Sequence, residues 1–147
     1  MTVYKKILIA LDFQSDNSEI IAKGREIAED NAADIFLIHV NEPLAIAYAA
    51  DGMSWSDQVV SLELSIRKES EEHMTKLGKE LKVPSDNCIL AEGRPAAEIH
   101  AACKENSIDL VVMGTHGQSG LQLLLGSTAN SVLHGSSCDV LTVRVGK

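Results

Sequence analysis

Leu110-Val-Val-Met113 runs directly into Gly114-Thr-His-Gly117-Gln-Ser-Gly120, and this stretch decides how the rest of the sequence is interpreted. The four apolar residues are typical of a strand that is covered on both faces. The glycines after them let the backbone approach an anion closely, and Ser127 or Thr128, after Gly126, begins the next predicted helix. Because a helix N-terminus offers unpaired N–H groups and a positive dipole end, the stretch predicts a phosphate-binding loop.

Apolar runs of the same kind alternate with amphipathic helical patterns along the whole chain, residues 1–147, which is expected to form a single domain. Such alternation predicts an α/β fold in which crossover connections build a parallel sheet with helices on both faces. The predicted strands are Lys6–Leu11, Ile35–Val40, Cys88–Ala91, Leu110–Met113 and Val140–Val145.

Four helices are predicted between these strands, and each shows an apolar stripe at helical spacing. Residues 41–58 interrupt the pattern with Pro43, Gly52 and Trp55 and predict an irregular surface excursion. The stripes comprise Ile20, Gly24, Ile27, Ala28 and Asn31; Leu62, Ile66, Ser70, Met74, Leu77 and Leu81; Ala96, Ile99, Ala102 and Cys103; and Ala129, Val132 and Leu133, the last helix stopping near Gly135.

The residues that end the first and fourth predicted strands are candidates for a ligand site. Ligands of open parallel sheets bind beyond the carboxyl ends of the strands, where the strand order reverses. If the first and fourth strands are neighbours, Asp12 and Gly114 border the same crevice. Asp12 has a plainer alternative as an aspartate that shapes a turn or caps the helix after it.

Composition excludes several classes of partner. The net charge is −8, from 21 acidic and 13 basic residues, and no basic cluster stands out, so neither nucleic acid nor an anionic membrane is expected to bind. No apolar run is long enough to cross a membrane, and the first residues do not form a signal peptide, so a cytoplasmic location is expected. Cys88, Cys103 and Cys138 lack CxxC spacing and are expected to serve as small apolar residues.

Other familiar sites do not match this sequence. GxxxxGK[ST] and GxGxxG are both absent, and the five histidines show no metal-ligand spacing, so no metal site is predicted. His39 is expected to be a satisfied core residue, whereas His116 either contacts a phosphate or shapes the turn. A phosphoacceptor role for Asp12 is disfavoured because no second acid follows the first strand. No general base is evident, so a fast enzyme is not expected.

Taken in order, these motifs resemble the universal stress protein A family. The resemblance covers essentially the whole chain. It rests on Asp12 after Ile-Leu-Ile-Ala10, His39-Val40, Glu92-Gly-Arg-Pro95, Asp109-Leu-Val-Val-Met-Gly-Thr-His-Gly117, Gly126-Ser127 and Cys138-Asp-Val-Leu-Thr-Val-Arg144.

The resemblance implies a five-stranded parallel sheet of order 3-2-1-4-5, which is Rossmann-like and similar to the adenine nucleotide alpha hydrolases. It also implies a homodimer through the edge strand Val140–Val145 and a stress-response module that binds ATP, with Mg²⁺ expected to accompany it. Asp12 would contact the ribose or position the nucleotide. The adenine would be lined by Ala10, Leu11, Val40 and Met113, and the phosphates would be cradled by Gly114, Gly117, Gly126, Ser127 and Thr128, with His116 inside the loop.

Two departures from the family's phosphate motif stand against ATP binding. Eight residues, 118–125, separate Gly117 from Gly126, where the ATP-binding branch has nine. Gln118 stands where a basic residue is frequent, and no Lys or Arg lies between Lys104 and Arg144. Two alternatives therefore stay open. One is a structural or protein-interaction dimer that binds no nucleotide; the other is a slow ATPase or autophosphorylating protein, with Ser127 or Thr128 as acceptor.

Overall fold

The computed structural model describes residues 3–43, 57–115 and 127–145. These contain five strands and four α-helices, with a short 3₁₀ turn at Ser85–Asn87 before the third strand. The strands are β1 (Lys6–Leu11), β2 (Asp34–Asn41), β3 (Cys88–Glu92), β4 (Leu110–Gly114) and β5 (Asp139–Val143). The helices are α1 (Ser18–Asn31), α2 (Asp57–Leu81), α3 (Pro95–Asn106) and α4 (Ser127–Leu133).

All five strands belong to one parallel sheet, as the alternating pattern predicted, and its order β3-β2-β1-β4-β5 is the one that the family resemblance implied. β1 lies in the centre, pairing with β2 on one side and β4 on the other. The strand order therefore reverses beside β1, because the chain leaves it first towards β2 and later returns to its other edge. That reversal is where an open sheet of this kind forms a crevice.

Helices cover both faces of the sheet and bury two separate apolar clusters. On what we call the α1/α2 face, alternate strand residues such as Ile7, Ile9 and Val112 pack with Ile20 of α1 and Met74 of α2. On the α3/α4 face, the intervening residues pack with those helices, and the buried members include Leu8, Ile38, Val111, Ile99, Ala102, Cys103, Ala129 and Val132. Removal of this apolar surface from water is the main force that stabilises the sandwich of helices and sheet.

The side-chain carboxylate of Asp109 aligns the amino ends of β1 and β4. Asp109 Oδ2 accepts hydrogen bonds from the main-chain N–H groups of Lys5, at 2.7 Å, and Lys6, at 2.9 Å. The register of the two strands follows from this anchor, with Ile7 opposite Leu110 and Ile9 opposite Val112. Their carboxyl ends consequently lie side by side.

Several element boundaries differ from the sequence prediction. β2, β3 and β4 differ by one residue at one or both ends, whereas β5 begins one residue earlier and ends at Val143 rather than Val145. α2 begins at Asp57, inside the stretch predicted to be irregular, and α4 ends at Leu133, near Gly135 as predicted. Leu62 was expected in the apolar stripe of α2, but its side chain is 47% exposed. Residues 44–56 lie outside the described part of the chain.

No helix in the described ranges combines the length and the hydropathy that crossing a bilayer requires.

Candidate functional site

The carboxyl ends of β1 and β4 form the candidate site. β1 ends at Leu11 and β4 at Gly114, and each residue lies two positions beyond the paired residues Ile9 and Val112. The first residues after these strands, Asp12 and Thr115, therefore emerge from neighbouring strands at the same level. The condition set by the sequence is met, since the first and fourth strands are neighbours.

Three of the four residues predicted to line an adenine pocket share the α3/α4 face. Ala10 and Val40 are half-buried and pack against the apolar cluster that contains Met113. Ala10 is the smallest of the three and lies on the central strand, between β2 and β4. The fourth residue, Leu11, packs into the cluster on the α1/α2 face. Only the main chain of Leu11 can therefore be reached from the α3/α4 face.

Asp12 is engaged in a turn between β1 and α1. Its Oδ1 accepts a hydrogen bond from the main-chain N–H of Gln14 at 3.0 Å, and its Oδ2 accepts one from Ser15 Oγ at 3.1 Å. The Asn17 side chain closes the loop, because its Nδ2 donates to the Asp12 carbonyl at 2.9 Å. These bonds agree with a turn-shaping role for Asp12. Each carboxylate oxygen keeps a further lone pair, so a contact with a ribose remains chemically open.

The predicted phosphate-binding residues are only partly described. Gly114 ends β4, and the N–H of Thr115 donates to the Val143 carbonyl at 3.0 Å, which continues the pairing with β5. Ser127 and Thr128 are the first residues of α4. His116, Gly117 and Gly126 lie outside the described residues. The phosphate end of the site therefore stays a prediction.

α4 is fixed against the α3/α4 face by packing and by one directional bond. His100 of α3 donates from Nε2 to the Val132 carbonyl of α4 at 2.9 Å. Val132 itself is fully buried, and Ala129 lies one turn earlier in the same apolar cluster. These contacts hold the start of α4 at a defined distance from the sheet.

A concavity lies at the same sheet edge, on the α1/α2 face. It is an open groove of about 590 Å³ between α2 and the ends of β1 and β2. Phe13 lies against it with one imidazole on each side: its ring centroid is 4.1 Å from that of His39 and 4.0 Å from that of His73. The interplanar angles are 19° and 18°, so the three rings form a continuous stack.

The polar end of this stack is a hydrogen-bonded network that joins β1, β2 and α2. His39 Nδ1 donates to the Leu11 carbonyl at 3.0 Å, and its Nε2 lies 2.9 Å from Asn41 Oδ1. The same Asn41 oxygen accepts from Ser70 Oγ at 3.1 Å. Among the described residues, Asn41 Nδ2 is buried without a hydrogen-bond partner. His39 Nδ1 thus has a partner in the Leu11 carbonyl.

Charge distinguishes the groove from a nucleotide site. Its rim carries Glu69, Glu72 and Glu80 against a single cation, Lys76. An acidic rim repels phosphates, and no cluster of His, Cys, Asp and Glu in the described ranges is arranged to hold a metal ion. The groove is therefore not the place for ATP.

Sequence reasoning did not single out Phe13 or His73 as partners of His39. Phe13 directly follows Asp12, and His73 lies on α2, more than thirty residues beyond His39. Nothing in the local pattern signals the stack, since it depends on how α2 crosses the ends of β1 and β2.

Comparison with known proteins finds a matching family model and solved structures with the same fold. Residues 3–144 match the model of the Universal stress protein family. The chain is 37% identical over 146 residues to Universal stress protein A homolog 2 of Coxiella burnetii, which covers 99% of this chain and 98% of that protein. The solved structure of MJ0577, from Methanocaldococcus jannaschii, superposes with a TM-score of 0.79 at 26% identity and covers 99% of both chains. A universal stress protein solved in complex with cAMP shares the fold, with a TM-score of 0.60 at 18% identity over 96% of this chain and 97% of that one.

Proposed function

Because the chain belongs to the universal stress protein family, we propose that it is a stress-response module that binds ATP in the crevice beside β1 and pairs with a second copy through β5. It acts in the cytoplasm through the nucleotide-dependent state of its surface rather than by fast turnover. No described cluster of side chains offers the acid–base machinery that rapid phosphoryl transfer would need.

One observation carries the nucleotide proposal: Ala10, a small apolar residue that packs with the same cluster as Val40 and Met113, lies at the reversal of strand order, and we expect an apolar trough over it. A purine is flat and apolar on its faces, so it gains by lying on small apolar side chains while strand-end main-chain groups bond its edge. A universal stress protein with the same fold was solved in complex with cAMP, which supports an adenine nucleotide as the class of ligand.

The described residues also bear on how Mg²⁺ would bind. They contain no group of three or more His, Cys, Asp or Glu side chains able to hold a metal. Mg²⁺ commonly keeps several waters and binds substrate phosphates with few protein ligands, so here it would arrive bound to the triphosphate. Asp12 is the nearest candidate carboxylate. With no Lys or Arg between Lys104 and Arg144, the expected affinity for ATP is modest.

A matched pair of substitutions tests the trough. Ala10→Leu places extra carbons where the purine is proposed to lie, whereas Ala101→Leu adds the same atoms on the exposed side of α3. Calorimetric titration with ATP and Mg²⁺ should show that Ala10→Leu weakens binding at least about tenfold, which corresponds to about 1.4 kcal/mol. Ala101→Leu should bind as the unchanged protein does, and both variants should keep the native circular dichroism spectrum.

The same titration separates the alternatives. Absence of binding by the unchanged protein at millimolar ATP would favour the protein-interaction dimer with no nucleotide. Release of ADP, or phosphate on Ser127 or Thr128, would favour the slow ATPase or autophosphorylating protein. Gly117→Val is expected from the sequence to abolish ATP binding without loss of the fold, and normal binding by that variant would refute the proposed phosphate position.

The dimer part of the proposal rests on the outer edge of β5. Asp139 donates its N–H to Asp109 and the Val143 carbonyl accepts from Thr115, so residues 139 and 143 direct their main-chain groups towards β4. Val140 and Thr142 lie in the alternate positions and direct theirs away from the sheet. The side chains of Val140–Val143 are only half-buried. A second copy would satisfy this open edge and cover the apolar side chains.

Thr142→Pro tests this seam with little disturbance of the sheet. Proline removes an N–H that points away from β4, and edge strands tolerate it in that position. Thr142→Val is the control, because it keeps both the N–H and the branched shape. Sedimentation analysis should find a dimer for the unchanged protein and Thr142→Val but a monomer for Thr142→Pro. A dimeric Thr142→Pro would exclude β5 as the seam.

A further inference from the structure

Cys103 and Cys138 bring their sulfur atoms within 3.9 Å of each other. Cys103 lies in the last turns of α3, and Cys138 immediately precedes β5, so the contact joins a helix to the edge strand. A disulfide needs a sulfur–sulfur distance of about 2.05 Å, and the approach required is within reach of side-chain rotation and small backbone shifts. Both cysteines are free thiols in this structure.

The two thiols differ in access. Cys103 is 3% exposed and belongs to the apolar cluster on the α3/α4 face, whereas Cys138 is half-buried and packs against the edge of that cluster. Burial, followed by the adjacent Cys138, raises the pKa of the Cys103 thiol to about 12. A small oxidant therefore reaches the Cys138 thiol before the Cys103 thiol, which is shielded by burial.

Ser136 holds Cys138 in place for this contact. Its hydroxyl donates to the Cys138 carbonyl at 2.7 Å and accepts from the Cys138 N–H at 3.2 Å. The backbone that carries the sulfur is therefore fixed from both sides. The third thiol, Cys88, lies with the cluster on the opposite face, and its Sγ is directed to the Pro84 carbonyl at 3.6 Å.

We propose that Cys103 and Cys138 are a redox modification site that forms a reversible intramolecular disulfide with hydrogen peroxide as the oxidant. The Cys138 thiolate attacks one peroxide oxygen and breaks the O–O bond, giving a sulfenic acid at Cys138 and, after protonation, water. The Cys103 sulfur then attacks Cys138 Sγ, the S–O bond breaks, and its hydroxyl leaves as water with the Cys103 proton. Two thiols lose two electrons in total, and the peroxide gains both.

The bond would fasten α3 to the start of β5, with consequences for the segment between them. It closes a loop between residues 35 positions apart that contains β4, the glycine-rich stretch and α4. Restricting that loop in the unfolded chain stabilises the folded one. Oxidation is therefore expected to raise the melting temperature by several degrees, and a dithiol reductant reverses the change. The disulfide proposal does not rest on nucleotide binding, although the loop that it closes includes the proposed phosphate-binding residues.

The test uses the reduced full chain, treated with hydrogen peroxide at low protein concentration and then with an alkylating reagent. The number of free thiols should fall from three to one, and peptide mapping should link Cys103 to Cys138. Cys138→Ser and Cys103→Ala should each abolish both the link and the rise in melting temperature. Cys88→Ser is the matched control and should keep both.

Three outcomes would overturn the proposal. The first is loss of the link in Cys88→Ser, or a link that includes Cys88. The second is a protein that gains only oxygen atoms while no pair of thiols disappears. The third is a disulfide between two copies, which a non-reducing gel shows as a covalent dimer. Because Cys138 is half-buried, Cys138→Ser is a second, milder probe should Cys103→Ala lower the yield of folded protein.

Discussion

The two faces of the sheet carry different kinds of side chain at the carboxyl ends of the strands. On the α3/α4 face the strand ends present the small or branched apolar residues Ala10 and Val40. On the α1/α2 face the next residues in the alternation, among them His39 and Asn41, contact Phe13, His73 and Ser70. One face thus ends in apolar side chains, and the other ends in stacked rings and hydrogen-bonded polar groups that line an open groove.

This difference shows how the ends of neighbouring strands can contribute to ligand binding on one face of the sheet and to stability on the other. Successive strand residues point to opposite faces, so Ile9 and Ala10 serve different faces although they are neighbours in sequence. Nucleotide contact is proposed on the face that carries small apolar side chains at the strand ends. The other face fixes the loop after β1 and hence the position of Asp12. Substitutions on the α1/α2 face should lower stability, and those at the trough should lower ATP affinity.

Gly24→Val should give the largest effect on stability. A Cβ added at Gly24 of α1 would lie 2.6 Å from Ile9 Cδ1 and 2.8 Å from Ile9 Cγ1. Since Ile9 is fully buried, its side chain cannot move aside freely. Overpacking of this kind should lower the free energy of unfolding by about 2–3 kcal/mol in urea denaturation. Ala101→Val, on an exposed helix position, is the control and should change it by less than about 1 kcal/mol.

Equal stabilities for Gly24→Val and the unchanged protein would show that α1 is not closely packed on β1. The comparison with Ala10→Leu is the informative one. Gly24→Val should lower the free energy of unfolding, while the molecules that remain folded bind ATP normally. Ala10→Leu should weaken ATP binding, while the free energy of unfolding changes little.

Phe13→Ala should give the next largest effect. It removes the middle ring of the stack between His39 and His73, together with the apolar area that ring covers. Because Phe13 is only half-buried, the expected loss is about 1–2 kcal/mol, below the range for a fully buried phenylalanine. Chemical denaturation measures it, and Phe13→Leu is the control that keeps apolar bulk without the ring.

If the two faces are independent, Phe13→Ala should leave ATP affinity within about twofold of the unchanged protein, since a twofold change is only a few tenths of a kcal/mol. A large loss of affinity with little loss of stability would instead place Phe13 in the nucleotide site. That result would mean that the two faces of the sheet do not act independently.

The sequence was sufficient to locate the strands of the sheet, because apolar runs such as β1 and β4 are short and continuous, whereas their order came from the family resemblance. It placed Asp12 and Gly114 beside each other once the strand order was supplied. It also grouped Leu11 with Ala10, although alternation sends their side chains to opposite faces. The meeting of Cys103 with Cys138 and the stack on Phe13 could not be predicted, because each depends on how a helix packs across the ends of distant strands.

Ser70→Ala should give the smallest effect of the three and tests the polar end of the α1/α2 face. Ser70 is 6% exposed, and its hydroxyl donates to Asn41 Oδ1, which also contacts His39. Losing that donor should cost about 1 kcal/mol, and the greater helix propensity of alanine offsets part of it. Ser65→Ala, on the same helix but exposed, gains the propensity without losing a buried bond. The difference between the two variants in urea denaturation therefore isolates the hydrogen bond, and equal stabilities would mean that packing alone closes this face.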